Sequence, residues 1–481
     1  MSPSGRLVTE MRRRAGIGSP WLWLALICLV GCQPPGVGES PTDRLNVLLI
    51  VVDTLGAESV GAFAGERGPF EGDSPTPHLD RLAAESTVFR RAFSTAPWTQ
   101  PAVSSLLTSQ MPSSHGVVRL GNVLGEEHET LAEALARGGY RTGAVISHKL
   151  VGAEFGHDQG LDHLDETPVG GHGAITSPEV TVRALQWLDA EERQRETPFF
   201  LLAHYFDPHY VYHHHADFDR TSDYQGSLEP AQYIWDLRDN AAELDAADAA
   251  FLTGLYREEV AYTDQAVGDL LDGLAERGLD ARTLVVVVSD HGEEILRRGW
   301  IGHTRTLYDE LLWIPWILRL PGGVGAGSYD APVSLLDVMP TILDLVGQPI
   351  PETAEGRSLA PWIERREDLP PRPVVAEVSF DDRVIAPDRV GQKTAFKTSV
   401  IDGDLKVIHD LLSDSWEMYD LASDPLETEN LAGGGQPEEP RLRRFLLRWE
   451  QERDAGGGEA ARTLRPSDDI LDELRSLGYL R

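Results

Sequence analysis

Two apolar runs end in residues of the types from which a metal site is built. LNVLLIVVDTL, Leu45 to Leu55, is a continuous β-branched stretch that terminates at Asp53, and TLVVVVSDHGEE terminates at Asp290 and His291. A carboxylate and an imidazole on adjacent residues of one turn offer oxygen and nitrogen donors, a set that suits zinc or a transition metal. An aspartate at a strand end is by itself an ordinary cap or turn residue; the Asp-His-Gly grouping lifts this one above that reading. A third candidate is Thr99 in APWTQPAVSSLLTS, with Pro101 two residues on. By itself it reads as the cap of a helix that begins at Gln100 or Pro101.

The elements that must position these residues follow from periodicity. Continuous apolar runs are the pattern of strands covered on both faces, and they alternate with helical segments such as ETLAEALARGG and YREEVAYTDQAVGDLLDGLAERGL. Strand–helix alternation predicts an α/β fold with a mostly parallel sheet. In such sheets ligands bind at the C-terminal edge of the strands, where Asp53, Asp290 and His291 fall. PFFLLAHYFDPH is a further strand with polar residues at its end, and VSLLDVMPTILDLVG reads as an amphipathic helix. The segment TSVIDGDLKVIHDLLSDSWEMYDL reads as antiparallel strands in a smaller C-terminal unit, and the last residues as a broken pair of helices.

Charge narrows the partners. The 481 residues carry 43 Lys and Arg against 77 Asp and Glu, a formal net charge of −34. That balance excludes duplex nucleic-acid binding, which needs clustered cations. An anionic substrate would meet repulsion at long range and needs a local positive group; Arg305 is the candidate clamp. The run His213, His214 and His215 suggests a metal tract, but an exposed loop is the expectation. Asp207 is a weaker candidate for a second metal.

The order and spacing of several segments resemble the sulfatase branch of the alkaline phosphatase superfamily, from about Asn46 to Arg481. They are NVLLIVVDTL, TPHLDRLAAES, APWTQPAVSSLLTS, HYFDPH, SDHGEE, GHTRTLYDELLWIPWIL, VSLLDVMPTILDLVG, EGRSL, MYDLASDPLETENLA and LRSLGYL. The resemblance implies a large mixed sheet sandwiched by helices over residues 45–375, a small C-terminal antiparallel-sheet subdomain over 376–432 and a helical tail over 433–481. It places Asp53 at the first metal-binding acid, Thr99 at the nucleophile, and Asp290 and His291 at the second ligand pair. His303 and His209 match active-site histidines of related phospho-alcohol transferases. One divalent metal ion is implied, zinc or manganese ahead of calcium, because Thr54 stands where many members carry a second acid.

Where sulfatases mature a cysteine to formylglycine and carry an arginine four residues later, this chain has Thr99 and Val103. A formylglycine hydrate has two hydroxyls and expels sulfate by breaking a carbon–oxygen bond; threonine has one and must be released by attack at the central atom. That route is familiar for phosphorus and poor for hexavalent sulfur. The expectation is therefore a metal-dependent hydrolase of an anionic phospho- or sulfo-ester, with phosphate esters or diesters preferred. The alternatives are an envelope phospho-alcohol transferase and a degenerate, non-catalytic binding lipoprotein.

The first 32 residues read as a targeting segment. Arg12, Arg13 and Arg14 precede the apolar run PWLWLALICLVG, which is too short to span a bilayer comfortably, and LVGC resembles a bacterial lipobox with Cys32 as the lipidated residue. A plain signal peptide or an uncleaved anchor is the alternative. Residues 33–44 read as a flexible tether. The expected location is the cell envelope outside the cytoplasm, on the periplasmic side of an outer membrane if the source has one, since Gln33 replaces the aspartate that retains many lipoproteins in the inner membrane.

Overall fold

The computed structural model describes residues 44–63, 73–169, 175–190, 196–381, 394–456, 463 and 475. Cys32 and the remainder of the targeting segment lie outside the described residues, as does most of the segment after Gly456. Eight strands form the main sheet: β1 (Asn46–Val52), β2 (Thr87–Phe89), β3 (Arg141–Val145), β4 (His163–Asp165), β5 (Phe199–Tyr205), β6 (Thr283–Ser289), β7 (Trp316–Arg319) and β8 (Gly327–Tyr329). Their order is β8-β2-β7-β6-β1-β5-β3-β4. β1 pairs in parallel with β5 and β6, while β7 runs antiparallel to both its neighbours, so the sheet is mixed.

The unbroken apolar runs are explained by the two faces of this sheet. Leu48, Ile50 and Val52 enter one apolar cluster, and Val47, Leu49 and Val51 the other. β6 alternates in the same way, with Val285 and Val287 on one face and Val286 and Val288 on the other. Helices cover both: α1 (Thr99–Thr108) lies on the second cluster, and α2 (Ser177–Ala190), α3 (Ile234–Asp239) and α4 (Ala246–Glu276) lie on the first. α4 starts ten residues before the expected Tyr256, because Asp245 caps it by accepting from Ala247 N at 2.8 Å and Asp248 N at 3.0 Å. The expected helix VSLLDVMPTILDLVG begins instead as a short strand, Val333–Ser334, and a 3-10 turn; only Val338–Leu345 is α-helical.

β9 (Val374–Asp381), β10 (Thr394–Asp402), β11 (Leu405–Asp410) and β12 (Ser415–Asp420) form an antiparallel meander. The boundary expected between 375 and 376 falls inside β9. One face of this sheet joins the main apolar cluster through Val374, Val378 and Phe380, and the other packs against Leu442 and Leu446 of α5 (Glu439–Gly456). The start of the expected tail is thus a helix that covers the small sheet, drawn there by its apolar stripe. The small sheet also reaches the turn before α1. Trp98 meets Phe380 edge-on at 5.4 Å, Glu377 N donates to Thr95 O at 2.9 Å, and Ser113 N donates to Glu377 Oε1 at 2.6 Å.

Candidate active site

β1, β5 and β6 end in register, with Val52 opposite both Tyr205 and Ser289. Asp53 and Asp290 therefore leave the sheet side by side. Asp53, Thr99, Asp290 and His291 are 0 % exposed, and His303 and His209 are also buried. The structure thus brings together all six residues singled out for metal binding or catalysis.

Each side chain is aimed by its surroundings. The turn after β1 places Thr54 at a φ of +55°, in the left-handed region that a β-branched residue adopts only when held there. Tyr256 of α4 holds it, donating to Thr54 O at 2.8 Å and accepting from Gly56 N at 3.1 Å. Ser289 ties the two turns together by accepting from Leu55 N at 3.1 Å and donating to His291 O at 2.7 Å. Asp290 Oδ1 accepts from His291 N and Thr54 N, at 2.8 and 3.2 Å. His291 Nδ1 bonds Gly292 O at 2.8 Å, which leaves Nε2 facing Asp53 Oδ1 at 3.7 Å and Asp290 Oδ2 at 3.5 Å.

Thr99 is the first residue of α1, and the capping position belongs to Trp98, extended at φ −168°. Its hydroxyl lies 3.3 Å from Asp53 Oδ2 and 3.3 Å from His291 Nε2. Four residues on, Val103 is 1 % exposed in the apolar cluster, so this helical position holds core where an arginine was the family comparison.

Three functional candidates escaped the sequence reading. His148, just after β3, and His204, within β5, place Nδ1 and Nε2 at 3.8 and 3.6 Å from Asp53 Oδ2. Both are buried, and none of their four ring nitrogens has a hydrogen-bond partner among the described residues. Each closes an apolar run, AVISH and LLAHY, in which a lone histidine reads as core. Glu293 is the third: its Oε1 lies 3.0 Å from His303 Nδ1. This contact orients His303 and fixes which ring nitrogen faces the site. His209 Nδ1 bonds Tyr210 O at 2.5 Å, and its ring meets that of His303 at 4.9 Å, nearly perpendicular.

The electrostatics are those of acids crowded in a dry site. Burial raises the Asp53 carboxyl, but the imidazoles of His204, His291, His209 and His148 outweigh it and hold the group well below the usual carboxylate range. Asp290 is pushed up to about 6, first by burial and then by the charge of Asp53. Burial takes His209 down to about 4, against the pull of Asp53. The donor atoms of Asp53, Asp290 and His291 lie within 4.8 Å of one another, and Asp53 Oδ1 and Asp290 Oδ2 are buried without a hydrogen-bond partner. Crowded carboxyl groups with unused oxygens, beside an imidazole nitrogen, are a donor set that fits a divalent cation.

Other expectations are corrected. The His213 to His215 tract is a loop that is only partly exposed: His214 is exposed with its Nδ1 2.8 Å from Glu258 Oε2, whereas His215 is buried and its Nε2 pairs with Glu259 Oε2 at 2.7 Å. Two buried glutamates on α4 need donors, and this segment supplies them. Asp207 does not turn to a metal; it caps α2, accepting from Thr176 N at 2.8 Å and Ser177 N at 2.9 Å. Arg305 is exposed, with its guanidinium carbon 4.1 Å from the Trp300 ring centroid.

The pattern of strand-end ligands and buried hydroxyl agrees with the family comparison. The sulfatase family model matches residues 45–348. The chain belongs to the sulfatase family, on the alkaline phosphatase-like fold. A model described as "N-sulphoglucosamine sulphohydrolase, C-terminal" matches residues 297–444, which include the small sheet. N-acetylglucosamine-6-O-sulfatase of Bacteroides thetaiotaomicron is 24% identical, aligned over 85% of this chain and 86% of that protein. Human N-sulphoglucosamine sulphohydrolase is 28% identical over 85% of this chain and 90% of its own. Among solved structures, phosphonate monoester hydrolase of Agrobacterium radiobacter superposes with a TM-score of 0.66 at 20% identity, covering 88% of this chain and 100% of that one. This sulfatase-family chain is a sulfatase-like ester hydrolase.

Proposed function

We propose that the protein is a metal-dependent hydrolase in which Thr99 attacks an anionic ester, with phosphate esters or diesters turned over faster than matched sulfate esters. The observation that carries this reading is the Thr99 hydroxyl, 3.3 Å from both Asp53 and His291 at the start of a buried helix. A divalent cation held by Asp53, Asp290 and His291, zinc or manganese by donor type, would supply Lewis-acid polarisation of the ester and acidify the Thr99 hydroxyl.

The chain's own groups account for the other steps. Thr99 Oγ1 forms a bond to the central atom as the bond to the alcohol breaks. The leaving oxygen takes a proton from His303, whose Nδ1 is engaged by Glu293 so that Nε2 faces the site. His209, in ring contact with His303, contributes to the same wall. Water then gives a proton to His303 and attacks the central atom of the threonine ester; the bond to Thr99 Oγ1 breaks, and Oγ1 takes up a proton from solvent to restore the hydroxyl. That last step separates phosphorus from sulfur, because Thr99 has no second hydroxyl with which to eject the group. Arg305, exposed two residues after His303, is placed to meet a charged part of the substrate. Retention of the protein at the cell envelope through lipidated Cys32 belongs to this reading, as the tether would hold the hydrolase at a membrane surface.

The test is a panel of 4-nitrophenyl esters: phosphate monoester, phosphate diester, phosphonate monoester and sulfate. Phosphoryl turnover above sulfuryl turnover is expected. Multiple turnover of the sulfate at an equal or higher rate, with Thr99 unmodified, overturns the preference.

A further inference from the structure

Arg238 is a buried guanidinium in α3, on the segment between His209 and α4, and lies beneath the turn that carries His303. Three aromatic rings surround it, with centroids at 5.0 Å for Tyr210, 4.9 Å for Trp235 and 4.8 Å for Trp300. Rings satisfy the faces of a guanidinium but not its N–H edge. Arg238 directs that edge at the backbone, donating from Nε to Ile301 O at 2.8 Å. Gly302 makes this approach possible. It adopts a φ of +107°, and a Cβ there would come within 2.2 Å of an Arg238 nitrogen.

The next residue is His303. On its far side Thr304 N donates to Pro97 O at 3.0 Å, next to the turn that carries Thr99. The Tyr210 ring, which Arg238 covers, stacks on the His303 ring at 5.3 Å and 26°. The guanidinium therefore sets both the backbone before His303 and the ring against it.

We infer that Arg238 is the positioning residue of the leaving-group acid, coupling α3 to the aim of His303 through Ile301, Gly302 and Tyr210. It rests on the reading that His303 gives the leaving alcohol its proton. As the bond from the central atom to the leaving oxygen breaks, that oxygen keeps the electron pair and takes the proton from His303 Nε2. A displaced His303 still permits departure of a group that is stable as an anion. It fails for an alkoxide, which needs the proton in the transition state.

The experiment compares an aryl and an alkyl ester, 4-nitrophenyl and ethyl, of whichever acid the wild-type holoenzyme turns over fastest. His303→Ala should lose about 10²-fold or more in kcat on the ethyl ester and far less on the nitrophenyl ester. Arg238→Met should show the same selectivity, with a loss of about tenfold or more in kcat on the ethyl ester and KM within about twofold, the size expected of a small misplacement. Because a buried substitution can impair folding, Arg238→Lys is measured beside it, with bound metal and thermal unfolding as the record of an intact protein. Lysine keeps the charge but not the Nε bond to Ile301, so the selective loss should persist. The double variant His303→Ala/Arg238→Met should be no slower on the ethyl ester than His303→Ala alone. If His303→Ala slows both esters alike, the general-acid reading falls and this inference with it. If His303→Ala is selective but the Arg238 variants slow both esters alike, or their losses add to that of His303→Ala, the inference alone is overturned.

Discussion

Thr99→Val tests whether the buried hydroxyl is a reagent or merely part of the packing. Valine matches threonine in shape and keeps the methyl group that fills a 0 % exposed position. The oxygen's contacts with Asp53 and His291 are lost, both at 3.3 Å, beyond the usual range for a strong O–H···O bond. The stability cost should therefore be small, about 1 kcal/mol or less. Activity should behave differently, falling by about 10²-fold or more, because the nucleophile acts within a unit that the remaining residues cannot complete. Thr99→Ser reverses the pattern: loss of a buried methyl costs about 1 kcal/mol, while the retained hydroxyl keeps measurable turnover. Thermal unfolding, metal content and kcat on the preferred 4-nitrophenyl ester are measured for the three proteins, with acid-quench mass spectrometry for an adduct on Thr99. A Thr99→Val enzyme that is folded, metal-loaded and as fast as wild type would refute the reasoning.

The metal assignment predicts that chelation abolishes activity and that Asp290→Ala or His291→Ala loses most of the bound ion by elemental analysis, whereas His303→Ala retains it. The contact between the two sheets predicts that Phe380→Ala destabilises the protein by about 3–5 kcal/mol in thermal or denaturant unfolding. It should also lower kcat, because the Trp98 ring that Phe380 supports leads directly into Thr99. For the anchor, Cys32→Ser should move the protein from the membrane to the soluble fraction, and the mature wild-type N-terminus should be an acylated Cys32 by mass spectrometry.

The central strands and the residues at their ends were legible in the sequence because a strand covered on both faces has few ways to be written. LNVLLIVVDTL and TLVVVVSDHGEE state both the strand and the point where it stops. The fold class and the metal trio followed from that, and Thr99, His209 and His303 from the resemblance. His148 and His204 were harder to see because a lone histidine in an apolar run is more often a core residue. Only the register of β3 and β5 against β1 places them around Asp53. Glu293 carries no signal of its own in SDHGEE, since its role depends on a partner that a separate loop returns to it. Arg238 has little local signal: of its three aromatic neighbours only Trp235 shares its helix, while Tyr210 and Trp300 come from distant segments. The partial burial of the His213 to His215 tract was hidden for the complementary reason, because the glutamates it meets sit on a helix more than forty residues away.

The edge-on contact of Trp98 with Phe380 gives the order of events in synthesis a chemical meaning. The turn that leads into Thr99 rests on a strand that is made almost three hundred residues later. A chain still being made has Asp53, Asp290 and His291 long before it has that support. Closing so distant a contact is a late and slow event in folding. The turn before Thr99 is therefore seated only once the C-terminal sheet has docked, which puts the support of the site after the site itself in the order of synthesis.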